Sequence, residues 1–288
     1  MIDYHLHLWP HGHPDSPMSV EEIASYCEKA NMAGVAEIAL TEHIFRFRQT
    51  EKILGDFFLR YPESKMRGLM FDYWHQHSRA DMDEYFRVVQ EAKDAGLPVV
   101  AGLEVDYYPG EMDKVAALIS EYPLDVALGS VHWIDDWPFD HISDPFVMEY
   151  WNHYGVERAW GAYTTALEEL AQSGVVDVLA HPDLIKVAGH FPSIPDEFFD
   201  RMAQAAASSG VAAEVSSAGI RKPVGEAYPA PSLLAKFFEL AVPITTASDS
   251  HGIEHVGFQA AEIKKFVTSA GYNNLLGFKQ RRPYEVEI

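Results

Sequence analysis

The chain has 288 residues, an apolar fraction of 48%, a formal charge of −21 and one cysteine, Cys27. A chain of this length buries roughly 75% of its unfolded surface, so one large α/β core is within reach. The acidic balance lacks the basic stripe of a nucleic-acid binder, one cysteine cannot form an internal disulfide, and no run approaches the ~20 apolar residues of a membrane span.

The first residues, Met1-Ile2-Asp3-Tyr4-His5, lack the basic-then-apolar order of a signal peptide, so a cytoplasmic location is expected. Apolar runs at 2–5, 36–41, 98–103, 126–131, 176–180, 211–215 and 243–247 are short, continuous and rich in Val, Ile, Leu and Ala. They read as strands buried on both faces. The first leads into His5-Leu6-His7, whose two imidazoles alternate and so share one side. The following loop offers His11 and His13, one of which is expected to join a site. Ser19 with Glu22 is a capping box; the helix it opens has Ile23, Ala24, Cys27 and Ala30 on one face and stops at Gly34.

The second run ends in Glu42-His43, where His43 is the better ligand and Glu42 is either a ligand or a partner holding its ring. The segment 44–80 is aromatic, irregular and longer than an ordinary connection, as expected of an insertion near a substrate site. Asp81 with Glu84 opens a second helix that ends at Gly96. The third run leads into Glu104, and a carboxylate after an apolar strand is costly unless paired or metal-bound. Its two oxygens could join two cations. The fourth run ends in His132 and the fifth in His181. Either alone would be an ordinary core histidine; at equivalent positions of successive units they point to one site. Arg158 starts a helix after Gly155, and Arg221-Lys222 follows the sixth run. Arginine matches phosphate oxygens in a fork, although either could instead serve a salt bridge in so acidic a chain. The seventh run leads into Asp249-Ser250-His251, which repeats the alternation of the first. Further helices are expected at about 112–121, 156–173, 195–209, 231–241 and 254–270. Lys279-Gln280-Arg281-Arg282 reads as a solvated tail. Of the remaining histidines, His190 is the one expected nearest the site.

About seven strand-then-helix units predict a single α/β domain over 1–288, a β/α barrel of the TIM-like kind. In such barrels chemistry sits where strands end at their C-terminal rim, and the candidate metal ligands fall there. Imidazoles and carboxylates gathered at one rim suit a cluster of divalent cations.

The ordered series H-x-H, strand-end His, Glu, His, His and D-x-H resembles the polymerase and histidinol phosphatase (PHP) superfamily over nearly the whole chain. Local wording is closer still to its histidinol-phosphate phosphatases: Asp3-Tyr4-His5-Leu6-His7, Gly102-Leu103-Glu104-Val105-Asp106-Tyr107, Gly129-Ser130-Val131-His132-Trp133, Gly219-Ile220-Arg221-Lys222-Pro223 and Ser248-Asp249-Ser250-His251. The resemblance implies a distorted seven-stranded (β/α)7 barrel with three divalent metal ions, Zn, Mn or Fe. It implies one metal on His5, His7, Glu104 and Asp249, a second on Glu104, His132 and His181, and a third on His13, His43 and His251. His13 is chosen over His11 on its spacing from His7. Arg158 and Arg221 would bind phosphate, and Glu104 and Asp249 would also serve catalysis. The implied activity is hydrolysis of L-histidinol phosphate to L-histidinol and inorganic phosphate, in histidine biosynthesis. Trp9, Trp133, Trp137 or Tyr107 would pack on the imidazole of the substrate. Another small phosphorylated metabolite or a nucleotide is the alternative substrate. An amidohydrolase is disfavoured because Glu104 stands where those barrels often use a carbamylated lysine, and a metal-binding module without turnover would show gaps in the ligand set. Oligomeric state is left open.

Overall fold

Each of the seven apolar runs forms a strand in the computed structural model, which describes residues 1–9 and 18–288. The strands are β1 (Ile2–Leu6), β2 (Glu37–Leu40), β3 (Val99–Asp106), β4 (Val126–Ser130), β5 (Val178–Leu179), β6 (Ala212–Ser216) and β7 (Ile244–Ala247). They lie in sequence order and every neighbouring pair is parallel. Apart from Glu37 at the start of β2, all their residues are buried, as parallel strands sheathed in helices require. Packing between strands is close. A Cβ added at Gly102 would come within 2.6 Å of Thr41 Cγ2 on one side and 3.0 Å of Val126 Cγ1 on the other.

The ends of the sheet meet along a thin seam. The amide of His7 donates to the Ser250 carbonyl at 2.7 Å, and Leu6 and Ser250 form a parallel bridge. Lower down, side chains span the gap. The Asp3 carboxylate accepts from the amides of Ser248 (2.7 Å) and Gly257 (2.9 Å), and Thr246 Oγ1 donates to the Ile2 carbonyl at 2.6 Å. The expected distorted barrel is thus what the chain forms.

The helices are α1 (Val20–Met32), α2 (Arg48–Leu54), α3 (Lys65–His77), α4 (Met82–Asp94), α5 (Met112–Ile119), α6 (Pro145–Tyr154), α7 (Val156–Gln172), α8 (Pro195–Ser209), α9 (Pro231–Glu239) and α10 (Ala260–Ser269). The expected caps are made: Ser19 Oγ accepts from the Glu22 amide at 3.1 Å and Asp81 Oδ1 from the Asp83 amide at 2.9 Å. Such a cap contributes about 1 kcal/mol. Among the described residues no helix is long and apolar enough to cross a membrane.

Four expectations need correction. The 44–80 segment is mostly helical, holding α2, α3 and two 3-10 turns at Ile44–Arg46 and Phe57–Arg60. α6 was not expected; Asp144 caps it by accepting from the Phe146 amide, with Pro145 at its first position. The helix expected at 254–270 is a 3-10 turn at Ile253–His255 followed by the shorter α10. The expected tail is an antiparallel hairpin, β8 (Asn274–Lys279) and β9 (Arg282–Glu287). Its turn is anchored by the residues that precede β4 and β5. Asp125 Oδ1 accepts from the Gln280 amide at 3.0 Å, and Arg281 clasps Asp177 with Nε and Nη2 at 2.9 and 3.0 Å. Tyr4 in β1 meets the hairpin through the Phe278 amide (3.2 Å) and the Tyr284 hydroxyl (3.2 Å). The hairpin therefore covers the N-terminal end of the barrel, and the opposite end is left to the loops.

Candidate metal centre

At the C-terminal rim, β1, β3 and the residues just after β2, β4, β5 and β7 send side chains to a common point. Glu104 is its hub. Its Oε2 lies 2.5 Å from His43 Nδ1, 3.4 Å from His5 Nε2 and 3.5 Å from His7 Nε2. Its Oε1 lies 3.1 Å from His181 Nε2 and 3.3 Å from His132 Nε2. Asp249 Oδ1 is 3.9 Å from His5 Nε2, 3.7 Å from His7 Nε2 and 3.5 Å from His251 Nδ1. Among the described residues four triads have ligand atoms within 4.8 Å of one another: His5–His7–Asp249, His5–Glu104–His181, His43–Glu104–His132 and His7–His43–His251. The structure so brings together His5, His7, His43, Glu104, His132, His181, Asp249 and His251. His11 and His13 lie outside the described residues.

The backbone is bent to deliver two of these groups. His181 and Asp249 have φ of 28° and 49°, in the left-handed region that non-glycine residues seldom adopt. Strain of this kind persists where the surroundings over-determine it, typically at functional sites.

Carboxylates behind the imidazoles set their orientation. Glu214 Oε2 lies 2.8 Å from His5 Nδ1, and Asp106 Oδ1 lies 2.6 Å from His132 Nδ1. A carboxylate on the far ring nitrogen fixes the tautomer and turns the other nitrogen toward a cation. Neither acid was singled out from sequence. Asp106 alternates with Glu104 on β3 and so shares its side, and Glu214 interrupts an apolar strand as Glu104 does. Glu42 does not hold His43. It accepts from the Leu8 and Trp9 amides (2.7 and 3.1 Å), pairs with buried Arg46 at 3.0 Å, and stands 3.5 Å from His7 Nδ1. Burial lifts its carboxyl to about 7, although Arg46 pulls the other way.

Electrostatics divide the imidazoles into two sets. Burial opposes charge on His5, but Glu214, Glu104 and Asp249 outweigh it and hold the ring well above the ordinary histidine value. On His132 burial is likewise overcome by Glu104 and Asp106, and the ring is raised. Burial, followed by the His251 and His43 rings, pushes His7 well down. Burial lowers His43, against the pull of Glu104. Burial also brings His251 down to about 3, against Asp249. Burial would raise Glu104, but His43, His5 and His132 hold its carboxyl well below the usual range.

These groups suit divalent cations. His5 Nε2 and both nitrogens of His7 are buried and make no hydrogen bond to any described residue. Buried polar atoms are rarely left so, and imidazole nitrogen with carboxylate oxygen is the donor set of zinc, manganese and iron sites.

Above the cluster lies a cavity of about 730 Å³, floored by His43, His132, His181, Asp249 and His251. Arg221 and Lys222 line one part of it. Arg221 Nη2 donates to the carbonyls of Ser248 (2.8 Å) and Asp249 (3.0 Å), while its Nη1 is buried with no hydrogen-bond partner among the described residues. Phe45, Met70 and Tyr73 of the 44–80 segment also line the cavity, as does Trp133. Trp9, Trp137 and Tyr107 do not.

Arg158 is not brought to the cluster. It is exposed, stacks on the Tyr154 ring at 4.4 Å, and lines a separate cavity behind Trp133. His190 is also elsewhere, packed on Trp151 at 4.8 Å; His141 and His255 line the cavity instead. Tyr228 and Asp140 also line it, with Ile142, Ser143, Leu184 and Val187, and sequence reasoning missed them all.

The PHP domain family model matches residues 3–218. A Deinococcus radiodurans protein named "probable histidinol-phosphatase" is 35% identical over 201 residues, 68% of this chain and 74% of that protein. A Schizosaccharomyces pombe protein of the same name is 26% identical over 264 residues, 86% of this chain and 81% of the other. The fold is similar to the crystal structure of histidinol phosphate phosphatase from Lactococcus lactis subsp. lactis, complexed with zinc, L-histidinol and phosphate. The TM-score is 0.70 at 20% identity, with 98% of both chains covered.

Proposed function

The chain belongs to the PHP domain family, and on that footing we propose that it is a metal-dependent phosphomonoesterase that hydrolyses L-histidinol phosphate to L-histidinol and inorganic phosphate. The observation that carries this reading is the convergence of Glu104, Asp249 and six imidazoles beneath a cavity that also holds Arg221. The names of the two curated relatives, and the L-histidinol and phosphate bound by the Lactococcus enzyme, support the substrate.

In this reading three cations of zinc, manganese or iron would be held. His5, His7, Glu104 and Asp249 would serve one, Glu104 with His132 and His181 a second, and His13, His43 and His251 a third. Bound there, such cations would polarise phosphoryl oxygens and lower the pKa of water toward neutrality. The protein supplies the rest. Glu104 has an oxygen toward each side of the cluster and so fixes the spacing of whatever lies there. Arg221 brings a cation to the cavity wall, and its unspent Nη1 is free to meet a phosphoryl oxygen. Asp140 lines the same cavity with a buried Oδ1 that no described residue bonds. A carboxylate there suits the ammonium of histidinol. Tyr73, Phe45 and Trp133 offer faces for its imidazole.

The test is phosphate release by the metal-loaded protein from histidinol phosphate and from nucleoside monophosphates, for wild type and Arg221→Ala. Wild type is expected to favour histidinol phosphate strongly. The variant should lose about 10- to 100-fold in kcat/KM at unchanged metal content, the worth of a hydrogen bond to a charged group. Equal rates on all substrates would replace this reading with a generalist phosphatase.

A further inference from the structure

Tyr228 is fully buried, yet its hydroxyl makes no hydrogen bond to any described residue. A lone buried hydroxyl is a standing cost that phenylalanine would avoid, so its presence calls for a partner from outside the chain. The residue lines the cavity above the metal cluster together with Arg221 and Lys222. Its ring meets the His181 ring edge-on at 6.2 Å. The hydroxyl-bearing end lies at Gly219, where an added Cβ would stand 3.0 Å from Tyr228 Cζ. Gly219 is two residues ahead of Arg221, and Tyr228 and Arg221 line the same cavity.

This part of the cavity is built rigidly. Tyr228 exchanges two backbone hydrogen bonds with Ser216 of β6: its amide donates at 3.0 Å and its carbonyl accepts at 2.6 Å. Lys186, also fully buried, pairs with Asp183 at 2.9 Å and with Glu226 at 2.7 Å, donates to the Ala227 carbonyl at 2.9 Å, and places Nζ 5.4 Å from the Tyr228 ring centroid. Asp183 accepts from the Ala230 amide at 2.7 Å, which ties the far side of the same loop. The ring is thus held on both flanks while its one donor is unspent. A donor fixed before the ligand arrives costs little reorganisation when it binds.

We propose that the Tyr228 hydroxyl donates a hydrogen bond to the phosphoryl group of the substrate, beside Arg221. This rests on the phosphomonoesterase reading and adds to it a neutral donor. A phenol next to a guanidinium binds an anionic oxygen from two directions, and that favours the phosphoryl end over the cationic alcohol.

The experiment uses the metal-loaded full chain and Tyr228→Phe, which keeps the ring and removes only the donor. Four quantities are read: kcat/KM for the phosphomonoester, inhibition by inorganic phosphate, inhibition by L-histidinol, and metal content with Tm. The expected result is a fall of about 10- to 100-fold in kcat/KM with a loss of about tenfold in phosphate affinity. L-Histidinol affinity and metal content should be unchanged, and Tm equal or higher. Unchanged phosphate affinity overturns the proposal, as does a loss confined to L-histidinol. A drop in metal content or Tm also overturns it, by giving the hydroxyl a structural role. If wild type proves inactive on histidinol phosphate, the substrate assignment fails, and the inorganic phosphate titration still decides the role of Tyr228.

Discussion

Glu104 touches more of the site than any other side chain, and its proton economy has a measurable result. In the metal-free protein the carboxylates around His5 and His132 keep those rings protonated to higher pH than usual, while His7, His43 and His251 are depressed and already neutral. A cation must displace the protons on the first pair and meets none on the other three. Metal uptake should therefore release protons, and affinity should weaken as pH falls, because acid favours the protonated competitors. Calorimetric titration in buffers of different ionisation enthalpy measures this; a heat independent of buffer would contradict it. The residues that do this work were unequally legible. Glu104, His132 and His181 stand where apolar runs stop, and a polar group there needs a reason. Glu214 and Asp106 are read only through their partners, His5 and His132, which other strands deliver. Arg158 was not legible, because its position at the start of a helix says nothing about which cavity its side chain faces; it lies on Tyr154.

The seven strands were legible because continuous Val, Ile, Leu and Ala runs have few other solutions in a chain of alternating units. The β8–β9 hairpin was not, since the acids that give its turn a purpose, Asp125 and Asp177, lie more than a hundred residues away. Taken alone, Lys279-Gln280-Arg281-Arg282 has no reason to be ordered. Arg281 makes that order conditional on one two-pronged contact with Asp177, plus a bond to the Val175 carbonyl at 2.6 Å. Arg281→Ala should lower stability by about 1–3 kcal/mol, the cost of unpairing a charge-assisted contact. Urea unfolding should show this as a lower midpoint at nearly unchanged slope. Metal content should stay at the wild-type level, because the hairpin and the ligand cluster occupy opposite ends of the barrel. Loss of metal in that variant would mean the two ends are mechanically coupled.

For the molecule as a whole, the ordered ligand series already implied one rim gathering distant parts of the chain. Sequence could not show how the circle is completed. β1 and β7 share little backbone pairing, and His5 and His7 stand on one side of that join with Asp249 and His251 on the other. Any cation held between His5, His7 and Asp249 would therefore be a clasp across that join. Breathing of the barrel should begin there when the clasp is missing. Amide hydrogen exchange at His7 and Ser248 should quicken on chelation far more than at the amides within β3 and β4. Uniform protection at all four places would mean that the wall closes without help. If the join does loosen, the ion cluster keeps the first and last strands of the barrel together as well as serving chemistry, and starving the protein of metal would open its architecture along one known line.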